Sequence, residues 1–215
     1  VMVIFWMFNI WNIRDMPFMD FPSLWIHLAV HCTIVEFVYY WLHRILHWPW
    51  FMKVYHGYHH ASVNTEPTTC VSFKMGERLS YTLLFAVTPL MSTWLGHQSW
   101  VTFALHLLWF DVNNQMGHCN FESFPKWWMD SPLALLWYSA SFHSIHHTRF
   151  KFNYSLFMPW TDAVFGTADW KKTNSVFQKA YDGEWAEKYD YAADPNHLPV
   201  TESHGDPAKD VVFLI

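Results

Sequence analysis

The sequence is poor in charged residues. Only 14% of its 215 residues are Asp, Glu, Lys or Arg, whereas an average soluble domain carries about 25%. Thirteen Lys and Arg stand against 18 Asp and Glu, so the chain lacks the basic surface of a nucleic-acid binder. Cysteine is also scarce. Cys32, Cys70 and Cys119 form no CxxC pair, which excludes a disulfide-stapled secreted domain and fits a reducing compartment.

Apolar residues are concentrated in long runs. Residues 21–42 contain one formal charge, Glu36, and residues 79–110 contain none. A membrane-spanning helix needs about 20 apolar residues, so both runs are predicted to be membrane segments. The second run is too long for one span and is interrupted by Gly96-His97-Gln98, which predicts a helical hairpin that returns to the side it left. A buried hairpin in a soluble protein is the alternative.

The two ends of the chain differ from its middle. Residues 1–11 are apolar but lack the basic start and cleavage site of a signal peptide, so we expect them to be the remainder of a longer helix. The segment 171–215 is charged and contains several prolines, which is typical of a linker. Residues 210–215 predict the first strand of a further domain. We therefore divide the chain into a catalytic domain at 1–170 and a linker with the start of a second domain at 171–215.

Histidine is the over-represented residue, with 15 in the chain. Eight of them fall into three groups with the spacings HxxxH, HxxHH and HxxHH: His43 and His47; His56, His59 and His60; His143, His146 and His147. Residues three and four apart lie on one side of a helix, so each group is predicted to point its imidazoles one way. Neutral imidazole binds Fe, Zn, Cu and Ni. Eight ligands exceed the needs of one zinc ion and suit two metal ions.

The order of the segments predicts that the three groups converge. The first two follow the first apolar run and the third follows the hairpin, so all three lie on one membrane face. Arg44, Lys53, Lys74 and Arg78 flank the first two groups, while the hairpin turn has no cation. The positive-inside rule then places this face in the cytosol, and the sequon at Asn153 is expected to stay unglycosylated. The expected fold is all-α, an integral-membrane helical bundle with a cytosolic cap that carries the histidines.

Other polar residues are interpreted by their position. Glu36 and Tyr40 share a helical stripe with His43 and His47, and the carboxylate is predicted to accept the non-ligating N–H of one of these histidines. The other histidines outside the three groups are interpreted mostly as bystanders: His27, His31 and His106 as hydrogen-bonded interior residues, His97 as a turn residue, and His197 and His204 as tail residues.

Six stretches carry a family resemblance. They are EFVYYWLHR at 36–44, TEPT at 65–68, NNQMGHCNFE at 113–122, SFHSIHHT at 141–148, NYSLFMP at 153–159, and Gly166-Thr167. Over residues 20–170 the chain resembles the fatty acid hydroxylase/sterol desaturase superfamily of membrane di-iron enzymes. Within it, the chain is most similar to the plant-type Eceriferum/Glossy very-long-chain aldehyde decarbonylases.

The resemblance implies a set of site residues. The eight grouped histidines would hold two non-haem iron ions, with O2 as co-substrate. His118, in the pattern Asn-x-x-x-His that begins at Asn114, matches a further histidine near the metals and joins the predicted metal residues. Glu36, Tyr40 and Asn114 are predicted to support the ligands.

The resemblance also implies a function. We expect an O2-dependent oxidoreductase of wax synthesis in the endoplasmic reticulum membrane that converts very-long-chain aldehydes to alkanes with electrons from a cytochrome b5-type donor. Hydroxylation or desaturation of a sterol or fatty acyl chain at the same site is the alternative, and a non-catalytic partner subunit ranks below both. A hetero- or homo-oligomer is compatible with each of these functions. A zinc hydrolase is disfavoured because the sequence contains no HExxH motif.

Overall fold

The computed structural model describes residues 15–119 and 121–181. Within these ranges the chain is helical and contains no strand, which confirms the predicted all-α class. The apolar segment at 1–11 and the predicted strand at 210–215 lie outside the described residues, so both interpretations stay predictions, as does the division into two domains.

The longest helix, α1, runs without a break from Phe21 to Leu46 and is long and apolar enough to cross a membrane. It is the only such helix among the residues that the structure describes. The predicted segment at 21–42 is therefore confirmed as a helix, and it extends far enough to include His43. A π-helical turn, His31–Val35, lies between the α-helical parts Phe21–Val30 and Glu36–Leu46. Turns of this kind occur often at functional sites.

The predicted hairpin is present, with its first arm divided. The arms are α3 (Met75–Phe85) with α4 (Val87–Trp94), and α5 (Trp100–Gly117). The turn between them contains Gly96 at φ 80°, a conformation that glycine adopts without steric cost. The first arm breaks at Ala86 because the ring of Pro89 would clash with the carbonyl of Phe85 in a continuous helix.

Polar contacts join the start of α1 to the hairpin turn. Ser99 caps α5 by accepting the Thr102 N–H at 3.0 Å, and the hydroxyl of Thr102 lies 2.7 Å from that of Ser23. The backbone amides of Trp100 and Val101 donate to carbonyls of the segment that precedes α1. Helices α1 and α5 therefore start at the same end of the molecule, and their carboxyl ends lie together at the other.

The end of the molecule at the carboxyl ends of α1 and α5 carries the histidine groups and is called the histidine end. It is completed by shorter helices: α2 (Pro49–Val54), α6 (Ala140–Arg149), α7 (Trp160–Phe165) and α8 (Trp170–Tyr181). Helix α6 packs against α5 and α8, and every residue from Ala140 to Thr148 is buried. Its amino end is capped by Ser139, which accepts the Phe142 N–H at 3.2 Å. A helix buried on every side is normally apolar. This one carries three histidines, so its surroundings must accommodate polar groups.

The outer faces of the long helices are apolar. Large exposed side chains include Phe21, Trp25, Phe37 and Trp41 on α1, Leu79 and Leu83 on α3, Leu90 and Trp94 on α4, and Leu105, Leu107 and Leu108 on α5. Extensive exposed apolar surface marks a region that contacts lipid or another protein.

Gly117, next to His118, provides a test of this packing. A Cβ atom at this position would lie 2.0 Å from Oη and 2.6 Å from Cζ of Tyr138. Tyr138 has no free space to move because its side chain is 3% exposed and donates to the Asn113 carbonyl at 2.6 Å. We expect Gly117→Ala to destabilise the fold by about 1–3 kcal/mol, measured as a lower melting temperature in detergent. Leu107→Ala, at an exposed site of the same helix, is the control, and equal melting temperatures for the two variants would contradict the packing.

Candidate metal centre

The nine predicted metal-site histidines converge in two clusters. The first cluster contains His43, His47, His56, His60 and His146, and the second contains His59, His118, His143 and His147. Within each cluster every residue offers one nitrogen, and these nitrogens all lie within 4.8 Å of one another. His47 is half-buried and the other eight are buried. The predicted residues are thus brought together, and their binding of metal stays a prediction.

The sequence groups do not coincide with the clusters. His56 and His60 belong to the first cluster and His59 to the second, while His146 belongs to the first and its neighbour His147 to the second. The expectation that each group points one way is wrong for these two groups. Successive residues of an α-helix are about 100° apart, which separates His146 from His147 on α6. The HxxHH at 56–60 lies on a 3-10 turn followed by further turns, which directs its side chains to both sides.

Backbone carbonyls orient four of the nine imidazoles. A carbonyl oxygen can only accept, so each Nδ1 that contacts one carries the proton and leaves a lone pair on Nε2. Such contacts orient metal-binding histidines and fix their tautomer. The four contacts are His43 Nδ1 with the Tyr154 carbonyl at 2.7 Å, His146 with Phe152 at 2.7 Å, His118 with Asn114 at 2.9 Å and His147 with Ser62 at 3.1 Å.

A fifth imidazole is oriented by a carboxylate that the sequence analysis missed. His56 Nδ1 lies 2.5 Å from Oε1 of Glu77, and both side chains are fully buried. Carboxylate–histidine pairs of this kind raise the basicity of a metal-binding histidine. The available sequence signal was the position of Glu77, an acidic residue two positions before the uncharged run at 79–110.

The inward-facing nitrogens are placed to bind a cation. Nε2 of His43 lies 3.0 Å from Nε2 of His56, and both carry lone pairs because their Nδ1 atoms donate elsewhere. In the second cluster, Nε2 of His143 lies 3.3 Å from that of His118 and 3.1 Å from that of His147. Converging lone pairs of neutral imidazoles are the donor set that iron and related divalent metals accept. The residues therefore fit two metal ions.

Burial keeps these histidines neutral. Removal from water, with a further contribution from neighbouring imidazoles, holds the pKa of six of them well below the usual 6.5: His56, His59, His60, His143, His146 and His147. Burial also lowers the pKa of His118 to about 4. Because metal binds only the unprotonated imidazole, these shifts keep the donor atoms available at neutral pH.

The predicted supporting residues act differently from expectation. Glu36 accepts the Phe157 N–H at 3.0 Å, and Tyr40 pairs with the hydroxyl of Thr167 at 2.9 Å. The prediction that Glu36 accepts an N–H from His43 or His47 is wrong for His43, whose Nδ1 faces the Tyr154 carbonyl. The contact between Glu36 and Phe157 anchors the segment that contains Tyr154. Glu36 therefore helps to position the Tyr154 carbonyl, although it does not contact His43 itself.

Asn114 lies beside the predicted ligands as expected, and its backbone makes the contact with them. Its carbonyl accepts from His118 at 2.9 Å, and its side-chain amide donates to the Cys70 carbonyl at 3.1 Å. The second contact ties α5 to the chain that follows the second histidine group.

Asp162 fixes the segment whose carbonyls orient His43 and His146. Its buried carboxylate accepts the backbone N–H groups of Tyr154 at 2.8 Å and Ser155 at 2.7 Å, and the hydroxyl of Thr167 at 2.6 Å. A buried carboxylate with three donors is well satisfied, so this segment is held firmly against the first cluster.

The sequon at Asn153 is buried. Its side chain has no exposed surface and donates to the Phe142 carbonyl at 2.8 Å and to the Thr173 hydroxyl at 3.1 Å. A glycan on this amide is incompatible with the fold on either side of a membrane. Absence of glycosylation therefore does not report which membrane face carries the histidines.

The other histidines divide into two sets. His27, His31 and His106 are buried as expected. The prediction that they are hydrogen-bonded is wrong for four nitrogens. Both nitrogens of His31 and one nitrogen each of His27 and His106 have no partner among the described residues. His97 lies in the hairpin turn as predicted and pairs with Asp20 at 3.1 Å. His197 and His204 lie outside the described residues.

Replacement of Glu77 tests its role in orienting His56. Glu77→Gln removes the charge that polarises the imidazole, and losses of this kind typically weaken metal binding by about 10- to 100-fold. The measurement is bound metal per chain in buffers of fixed free metal concentration. Glu66→Gln, at an exposed position, is the matched control, and equal affinity of the two variants would exclude the proposed support.

The pKa shifts predict how metal binding responds to pH. Protons compete with metal only below the pKa of the folded site, and that of His118 is about 4. We therefore expect bound metal to fall little between pH 7.5 and pH 5.5, whereas a hexahistidine peptide with ordinary pKa values near 6.5 loses affinity over this range. Metal titrations at several pH values measure this response. A decline in metal affinity as steep as that of the peptide would contradict the lowered pKa values.

Comparison with known proteins gives a consistent result. Residues 18–167 match the fatty acid hydroxylase family. The very-long-chain aldehyde decarbonylase GL1-7 of Oryza sativa subsp. japonica is 41% identical over 174 residues, which cover 80% of this chain and 28% of that protein. The very-long-chain aldehyde decarbonylase CER1 of Arabidopsis thaliana is 41% identical over 169 residues, 77% of this chain and 27% of the relative. No solved structure matches. The chain thus spans less than a third of the length of these relatives, and it belongs to the fatty acid hydroxylase family.

Proposed function

We propose that this chain contains the metal-binding membrane part of an O2-dependent di-iron oxidoreductase that converts very-long-chain aldehydes to alkanes in wax synthesis. The observation that carries the proposal is the pair of adjacent clusters of buried, neutral imidazoles. Relatives named very-long-chain aldehyde decarbonylases support the choice of substrate. Because the chain covers less than a third of their length, the activity belongs to the longer protein.

Iron bound in each cluster would supply the capacity to reduce O2 with electrons from an external donor. The chain holds the two sites close to each other, since the imidazole rings of His60 in the first cluster and His147 in the second are 4.5 Å apart between centroids.

The protein itself excludes water from the histidine clusters and fixes the orientation of their imidazoles. The rings of Phe73 and Phe150 lie 5.0 Å from His59 and 4.9 Å from His60, respectively, and cover the clusters with apolar surface. The contacts from backbone carbonyls and Glu77 hold protons on Nδ1 atoms. With these protons fixed away from the metal side, the Nε2 atoms remain ready to bind.

The apolar outer faces of the long helices support a membrane arrangement. We place the exposed apolar surfaces of α1 and α3–α5 in the lipid of the endoplasmic reticulum membrane as a multi-pass bundle. Arg44, Lys53, Lys74 and Arg78 lie in or near the histidine end of the chain, whereas the hairpin turn carries His97 paired with Asp20. This distribution supports a cytosolic position for the metal centre.

The electron donor is proposed to be a cytochrome b5-type protein on the cytosolic side. The chain has no flavin or haem motif of its own, and the reduction of O2 consumes electrons. Association with further copies or with other subunits is compatible with this arrangement.

Hydroxylation or desaturation of a lipid chain is the second candidate. The family match itself is to fatty acid hydroxylases, and the same nitrogen ligands serve either reaction. A non-catalytic role is the less favoured proposal, because all nine histidines are present and clustered.

Lipid analysis tests the proposed reaction. The full-length protein is expressed with its reductase partners, and the expected products are odd-chain alkanes, since an even-chain aldehyde loses one carbon. His146→Ala removes a nitrogen from the first cluster and should abolish both iron loading and alkane formation. His97→Ala, in the hairpin turn, is the control that should retain both.

Three outcomes would contradict the proposal. Hydroxylated or unsaturated lipids in place of alkanes would favour the second candidate. One zinc ion per chain by metal analysis and Mössbauer spectroscopy would exclude the di-iron site, and full turnover by His146→Ala would place the chemistry elsewhere.

A further inference from the structure

A cavity of about 480 Å³ lies between α1 and α5, and none of the nine metal-site histidines lines it. Its wall is almost entirely apolar. Trp25, Leu28, Leu105 and Leu108 line it and are 44–66% exposed, so the cavity opens sideways onto the apolar outer face of the helices. Its volume is within the usual range of about 300–1,000 Å³ for small-molecule sites.

Three imidazoles interrupt this apolar wall. His27, His31 and His106 line the cavity and are only 5%, 2% and 8% exposed. The ring of His106 contacts that of His27 at 5.2 Å and that of His31 at 5.6 Å between centroids. Four of their nitrogens have no hydrogen-bond partner among the described residues. Buried polar atoms in this state are unfavourable, so the site favours a ligand with a polar atom.

The surroundings restrict that polar atom to a neutral group. The π turn of α1 brings Glu36 to the same side as His31, with Oε1 3.7 Å from Nε2. No Lys or Arg is among the described residues that line the cavity. A carboxylate or phosphate here would meet a carboxyl group and no cation in an apolar environment, which is costly. A hydroxyl or carbonyl oxygen avoids this cost and can pair with neutral imidazoles.

The cavity is elongated along α5. Its lining residues on that helix extend from Thr102 to Met116, which corresponds to about 21 Å at 1.5 Å per residue. The metal-side end is formed by Asn113, Met116 and Trp137. An unbranched hydrocarbon chain matches this shape and the apolar wall. His106 lies 12 residues before His118, or about 18 Å along the helix.

We propose that this cavity is a binding site for a long-chain neutral lipid that ends in one oxygen function, a primary alcohol or an aldehyde. Its oxygen is hydrogen-bonded by His27, His31 and His106, and its chain lies along α5 towards Met116. The oxygen is then held about 18 Å along the helix from the metal centre, so this is a holding site entered from the lipid and not the position of reaction. The site is independent of the reaction that the metal centre performs.

Photolabelling of the full-length protein in nanodiscs tests the site without turnover. The probe is a 1-hexadecanol analogue with a diazirine beside the hydroxyl, and labelled residues are located by mass spectrometry in metal-free and metal-loaded protein. Labels are expected within 24–31 and 102–112. We expect unlabelled 1-hexadecanol and hexadecanal to compete roughly tenfold better than hexadecane, the ratio that corresponds to one hydrogen bond. Hexadecanoic acid should compete no better than hexadecane.

Variants of His106 test whether the imidazoles cause the stronger competition by 1-hexadecanol than by hexadecane. His106→Phe keeps a ring but removes both nitrogens, and should abolish the advantage of the alcohol over the alkane. His106→Gln keeps a donor and an acceptor and should preserve most of it. Leu107→Phe, on the same helix but outside the cavity lining, is the matched control and should behave as the unmodified protein.

Several results would overturn the proposal. These are labels outside both segments, stronger competition by the acid than by the alcohol, an unchanged preference in His106→Phe, or no competition by any chain, as expected of a cavity that holds only water. If His106→Phe does not fold, the competition and label positions in the unmodified protein still decide. Alkane formation is not part of this readout, so failure here is distinct from failure of the proposed reaction.

Discussion

The structure depends on the packing of nine imidazoles, eight of them buried, in two clusters whose inward nitrogens face one another. Neutral imidazoles about 3 Å apart repel when both nitrogens are acceptors, and the chain holds this arrangement by fixing the opposite nitrogen of five of the nine rings. Carbonyls of Tyr154 and Phe152 serve the first cluster, and those of Asn114 and Ser62 serve the second. Other polar contacts in the neighbourhood, including those of Asp162 and Glu36, hold these carbonyls in place.

Much of this could be read from the sequence. The uncharged runs predicted α1 and the hairpin, because helix formation in apolar segments depends on local composition. The spacing of the histidines predicted that they form a site, and the resemblance added His118. The break of the first arm at Ala86 was also accessible, since Pro89 acts locally on the preceding turn.

The partners of the histidines could not be predicted, because they are set by tertiary contacts. His43 and Tyr154 are 111 residues apart, and nothing in either stretch specifies that a carbonyl rather than Glu36 receives the imidazole N–H. The same holds for Glu77, because its position beside the uncharged run does not identify His56 as its partner. His27, His31 and His106 show the limit of reasoning from residue type, because their rings meet across two helices at a distance from the metal clusters and in an apolar wall.

The sharing of two histidine groups between both clusters has a consequence for assembly. His59 lies between His56 and His60 in sequence, yet it belongs to the other cluster, and α6 likewise serves both. A first ion that ordered either segment would bring ligands of the second site into place, so part of the entropy of organising the second site would already be lost. Uptake of the two ions should therefore be positively cooperative, with half-loaded protein as a minor species. Substitutions that remove one of these two histidine groups would take nitrogens from both clusters at once.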